Sequence, residues 1–124
     1  GSITTRSGVL EEQPYGFGTR FEGLPGTNPE ELIAAAHAAC FTMALSFGLA
    51  RAGYSGDTLE TSAAVTLDQQ DGGFTITKSA LVLTGNVPGI SPDEFAALAA
   101  EAEKNCPVSK LLNCEITLEH NLQV

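Results

Sequence analysis

The sequence has no tryptophan, two tyrosines, three cysteines, and six lysines and arginines against fifteen aspartates and glutamates. Each shortage excludes something. With so few basic side chains and a formal net charge of -9, the surface repels phosphate backbones and anionic headgroups, so no nucleic acid and no membrane surface is expected as a partner. No C-x-x-C pair offers a zinc site or a thioredoxin-like motif, and an odd number of cysteines does not make a disulfide framework. Neither histidine stands at a ligand spacing, so no metal and no cofactor is expected. No apolar run is read as approaching the roughly 20 residues that span a bilayer, and Gly1–Arg6 lacks the apolar stretch of a signal peptide. A cytoplasmic location is the resulting expectation. What is present, 43% hydrophobic and 17% charged residues over 124 positions, is the composition of one folded domain covering residues 1–124.

The residues from Ser2 to Gln13 mix β-branched and polar side chains, and Gly16 to Gly23 alternates, which predicts a first hairpin. A loop at Leu24-Pro25-Gly26-Thr27 leads to a helix start at which Asn28 caps, Pro29 takes the first position, and Glu30 and Glu31 face the positive end of the dipole. The helix continues through Leu32 to Ala52, apolar on nearly every side, until Gly53 stops it, and is expected to be central and buried. Thr58–Gln70 and Phe74–Val87 read as a second hairpin around Asp71-Gly72-Gly73. Ser91-Pro92-Asp93-Glu94 opens an amphipathic helix to about Lys104, Asn105-Cys106-Pro107 starts a short one, and Glu115–Leu122 closes as a strand. Strands arranged in antiparallel pairs rather than βαβ units give an α+β fold.

Chemistry narrows to a few side chains. Cys40 lies among alanines in the long apolar helix, where on local grounds it reads first as an inert core thiol. Cys106 precedes Pro107 at a helix start whose free N–H groups and dipole stabilise a thiolate, although it also reads as a small junction residue. Cys114, at the last strand, reads as structural. Arg20, on the predicted second strand, has a surface ion pair with Glu22 or another carboxylate as its plain explanation. Glu30 has helix-dipole stabilisation as its own. His37 falls on nearly the same face as Cys40, but reads first as a hydrogen-bonded core histidine rather than as the base of a Cys-His nucleophile.

The stretches Tyr15-Gly-Phe-Gly-Thr-Arg20-Phe-Glu-Gly, Gly26-Thr-Asn-Pro-Glu-Glu-Leu-Ile-Ala-Ala-Ala-His-Ala-Ala-Cys40-Phe-Thr-Met-Ala-Leu and Asn105-Cys-Pro-Val-Ser-Lys-Leu-Leu resemble the osmotically inducible protein C (OsmC) family over essentially the whole chain. Ala36-His37-Ala38 and Cys106-Pro107-Val108-Ser109 stand where the organic hydroperoxide resistance branch (Ohr) reads Ala-Gly-Tyr and Cys-Pro-Tyr-Ser, which places the resemblance with OsmC proper. The family's usual strand ahead of Ser2–Leu10 has no counterpart here. The resemblance implies a thiol-dependent peroxidase of organic hydroperoxides, with Cys40 peroxidatic, Cys106 resolving, Arg20 beside the reactive sulfur and Glu30 orienting Arg20. It further implies an intertwined homodimer, antiparallel sheets wrapped around long central helices, and recycling by an external dithiol that can be a lipoylated protein. The competing reading is a non-catalytic redox-sensing or stress-response module that uses the same cysteine pair.

Overall fold

The computed structural model describes residues 1–123. A two-stranded ribbon, β1 (Ser2–Ile3) with β2 (Gln13–Pro14), is followed by a short helix α1 (Phe17–Phe21) and a long helix α2 (Pro29–Arg51). Then come β3 (Thr58–Gln70), β4 (Gly73–Asn86), helices α3 (Pro92–Asn105) and α4 (Pro107–Leu111), and β5 (Glu115–Gln123). The main sheet has the order β3-β4-β5.

Three expectations are corrected. Gly16–Gly23 is not a strand, so the first hairpin shrinks to the two-residue ribbon and Arg20 lies on α1. The helix wins because it stacks Phe17 on Phe21, ring centroids 5.1 Å apart, an i,i+4 pairing that an extended chain would split. The Gly16 N–H is also satisfied by Thr19 Oγ1 at 2.8 Å, which fixes the first turn. Secondly, β5 runs parallel to β4, because α3 and α4 carry the chain back across the sheet in one crossover unit. The α+β class stands, with a mixed rather than purely antiparallel sheet. Thirdly, α2 is long and apolar enough, by length and composition, to cross a bilayer. Seven alanines with Thr42, Ser46 and Gly48 between Glu31 and Arg51 soften the hydropathy without adding a charge.

Local signals explain the elements that were anticipated. Asn28 Oδ1 accepts from the Glu31 N–H at 2.8 Å, and Pro29 follows at the first helical position. At the other end Gly53 adopts φ 90°, while the Gly53 and Tyr54 amides return to the carbonyls of Ala50 and Leu49. That pair of hydrogen bonds is the Schellman closure, and it needs a residue tolerant of positive φ. Asp71 and Gly72, both at positive φ, make the tight turn between β3 and β4.

The core lies between one face of the sheet and the helices. Alternate β4 residues Ser79, Leu81 and Leu83 point inward against Phe41, Leu45 and Leu49 of α2 and Phe95 and Ala99 of α3. Helix α2 is buried on one face only, through Glu30, His37, Phe41, Leu45 and Leu49; Ala39, Met43 and Phe47 on the opposite side are exposed. Phe41 is fully buried at the centre of this packing. Phe41→Ala is expected to lower unfolding stability by about 3–5 kcal/mol, read as a fall in the urea midpoint at unchanged slope.

Candidate functional site

Cys40 sits at the middle of α2, half-buried, and Cys106 is fully buried at the junction where α3 ends and α4 begins. The chain has to turn at this junction because Pro107 cannot continue α3, and Cys106, at φ -61° and ψ 119°, is the cap of both helices. The turn brings the Cys106 thiol against the Cys40 thiol, and both are free. Burial pushes the Cys40 thiol above its ordinary pKa, with the neighbouring Cys106 thiol adding to the rise, while the Val108 backbone N–H acts against them. The sequence assigned the stabilising amides of the α4 start to Cys106. In the folded chain the Val108 amide serves the sulfur of Cys40 instead.

A cavity of about 700 Å3 opens beside Cys40 on the exposed side of α2, with Met43, Phe47, Arg51, Leu98 and Pro107 among the residues that line it. Its walls are mainly apolar, as an alkyl or aryl substituent would require.

Arg20 and Glu30 form a second pair. The Arg20 guanidinium donates through Nε to Glu30 Oε2 at 3.2 Å and through Nη2 to Oε1, a two-point contact that fixes its plane. Glu30 is buried, and the Arg20 side chain is 32% exposed. The sequence expectation of an arginine ion pair is met with Glu30 rather than Glu22. The two pairs do not meet within one chain: Glu30 and Cys40 are ten residues apart on one helix, about 15 Å along its axis.

His37 is the core histidine that its position predicted. It is fully buried, with Nδ1 2.6 Å from Ser79 Oγ and Nε2 2.7 Å from Ser109 Oγ. Ser79, Ser109 and the Val108 amide went unremarked in the sequence. The only local signal was the serine closing Cys106-Pro107-Val108-Ser109.

Burial lowers the His37 pKa below its ordinary value of 6.5, so between the folded and unfolded values the unfolded chain holds the extra proton. Its contribution to stability is therefore complete above pH 6.5 and is lost as the pH falls through 6.5 towards the folded value. Urea midpoints at pH 7.5 and 5.5 should differ less in His37→Gln than in the parent.

Fold and site together define an α+β protein built around a thiol pair on a long apolar helix. Residues 21–121 match the family profile described as OsmC-like protein, a match that begins just after Arg20. The chain is 54% identical to Peroxiredoxin OsmC of Escherichia coli (strain K12) over 123 residues, covering 99% of this chain and 86% of that protein. It is 34% identical to the organic hydroperoxide resistance protein OhrB of Bacillus subtilis (strain 168) over 122 residues, 96% of this chain and 88% of that one. The crystal structure of B. subtilis OhrB superposes with a TM-score of 0.73 at 30% identity, covering 98% of this chain and 89% of that chain. The chain belongs to the OsmC family. Its greater identity to OsmC than to OhrB agrees with the branch indicated by Ala36-His37-Ala38 and Cys106-Pro107-Val108-Ser109.

Proposed function

We propose that this chain is a thiol-dependent peroxidase that reduces organic hydroperoxides to alcohols. Its relatives named peroxiredoxin and organic hydroperoxide resistance protein support the activity, and the observation that carries the mechanism is the Cys40–Cys106 juxtaposition beside an apolar cavity. In the proposed cycle the Cys40 thiolate attacks the terminal peroxide oxygen. The O–O bond breaks, the sulfur becomes a sulfenic acid, and the alkoxide leaves as alcohol after taking a proton. Cys106 then attacks the sulfenic sulfur, water leaves, and a Cys40–Cys106 disulfide captures the oxidation before a second peroxide reaches it. An external dithiol, a lipoylated protein among the candidates, restores both thiols. The cycle is assigned to the cytoplasm.

A thiol whose pKa burial raises needs a cation to be reactive at neutral pH. Glu30, which holds the arginine that would supply it, lies about 15 Å along α2 from Cys40 of its own chain. Two α2 helices packed antiparallel about Ala35 would set Glu30 of one chain level with Cys40 of the other. The alanines at 35, 36 and 39 are exposed and small enough for close approach, and Met43 and Phe47 would be covered in the same step. The reading therefore includes a homodimer whose sites are completed across the interface. Light scattering at micromolar concentration should give twice the 12.9 kDa chain mass; a monomer would count against it.

Steady-state turnover tests the function directly. Cumene hydroperoxide should be consumed catalytically and in preference to hydrogen peroxide when dihydrolipoamide is in excess, with thioredoxin compared as reductant. One equivalent consumed and no turnover with either dithiol would favour a redox-sensing module.

A further inference from the structure

Outside the two pairs just described, His37 is a fully buried titratable side chain with no part in the proposed cycle. It joins three elements. The ring projects from α2, its Nδ1 meets Ser79 in β4, and its Nε2 meets Ser109 in α4. Both serines are themselves buried. One neutral imidazole donates at one nitrogen and accepts at the other, and a serine hydroxyl suits either role, so the network is satisfied in either tautomer.

The Ser109 end matters most because it lies in α4, which is otherwise held by the packing of Cys106 and Val108 against the core. The helix is five residues long, too short to persist on its own propensity. Its backbone closes with Lys110 N–H to Cys106 C=O and Leu112 N–H to Val108 C=O. Yet this turn supplies both groups that meet the Cys40 sulfur: the Cys106 thiol at its cap and the Val108 amide in its first turn. Ser109 is the next residue after Val108, and its partner His37 lies on the helix of Cys40, less than one turn away. The hydrogen bond from His37 to Ser109 thus ties α4 back to the turn of α2 that carries the reactive sulfur.

We infer that His37 is a positioning residue for closure of the Cys40–Cys106 disulfide, holding α4 through Ser109 in the register that keeps Cys106 against Cys40. The inference rests on Cys40 and Cys106 acting as a pair, but not on peroxide being the oxidant. Ser79 anchors the other edge of the ring to the sheet and orients it; it does not touch α4.

The test uses closure without peroxide, in the 124-residue chain carrying Cys114→Ser. The Cys40 thiolate attacks 2,2′-dithiodipyridine and releases one thiopyridone. Cys106 then attacks the mixed disulfide at Cys40, releases a second thiopyridone and leaves the Cys40–Cys106 bond. Half-buried Cys40 should react before buried Cys106, so the second phase reports closure. In Ser109→Ala that phase should slow about tenfold, the effect of one lost buried hydrogen bond. Ser109→Thr, which keeps the hydroxyl, should restore it, and Ser79→Ala should remain within about twofold of the parent. His37→Gln serves as the second variant, with the same slowing expected.

A second phase unchanged in Ser109→Ala and His37→Gln would overturn the inference. Equal slowing in Ser79→Ala would do so too, since it would reduce His37 to a general core contact. No second phase in the parent would remove both the thiol pair and this role. Normal closure in a protein that fails to turn over hydroperoxide would instead sink the peroxidase reading and leave the positioning role standing.

Discussion

Cys40→Ser should consume no hydroperoxide, even in a single turnover, while Cys106→Ser should consume about one equivalent per subunit in its fast phase and fail to turn over. The difference follows from the chemistry each sulfur is assigned. An alcohol at neutral pH is almost wholly protonated and a far poorer nucleophile than a thiolate, so removing Cys40 removes the step that breaks the O–O bond. Removing Cys106 leaves that step intact and takes away the capture of its product. The Cys106→Ser protein should accumulate a sulfenic acid at Cys40 that a dimedone-type reagent traps, and excess oxidant should carry it on to sulfinic acid. Peptide mass mapping of the oxidised parent should find Cys40 joined to Cys106 and Cys114 free. A bridge to Cys114, or full first-turnover activity in Cys40→Ser, would reverse the assignment of roles.

The parts of this site that were legible in the sequence are those with local signatures. Asn28-Pro29-Glu30-Glu31 announces the start of α2, Gly53 its end, and Asp71-Gly72 the turn of the main hairpin, because capping and positive φ are decided within a few residues. Cys106-Pro107 likewise marked the junction that delivers the second thiol. Phe17–Phe21 was misread because over eight residues an i,i+4 aromatic pair and a strand alternation look alike. The parallel pairing of β5 with β4 depends on how α3 and α4 return the chain, which no periodicity within β5 records. The bonds of His37 to Ser79 and Ser109 span 42 and 72 residues, and serines at such distances carry no pattern of their own. The same limit applied to charge: local pattern left the carboxylate partner of Arg20 open, the resemblance alone pointed to Glu30, and the physical reason is that α1 is a helix that turns the side chain towards α2.

Arg20→Met should slow single-turnover reduction of an organic hydroperoxide by about 100- to 1000-fold, the usual cost of deleting a fixed donor at developing negative charge. Glu30→Gln should act in the same direction and less severely, because the guanidinium keeps its charge and loses the partner that holds its plane. The pH profile of Cys40 alkylation should move upward in Arg20→Met, since a thiol already raised by burial loses its cation. Geometry adds a sharper expectation, because Glu30 and Cys40 of one chain are held about 15 Å apart by the helix they share. If Arg20 serves the sulfur of the partner subunit, Arg20→Met and Cys40→Ser chains, each inactive alone, should complement when unfolded and refolded together. Each mixed dimer then contains one site with both an arginine and a thiol, and random pairing of equal amounts should recover about a quarter of the parent rate. If the arginine served its own chain, the mixed dimer would contain no complete site. Absence of recovery, with mixed dimers demonstrated by mass spectrometry, would rule out sharing of the site between chains.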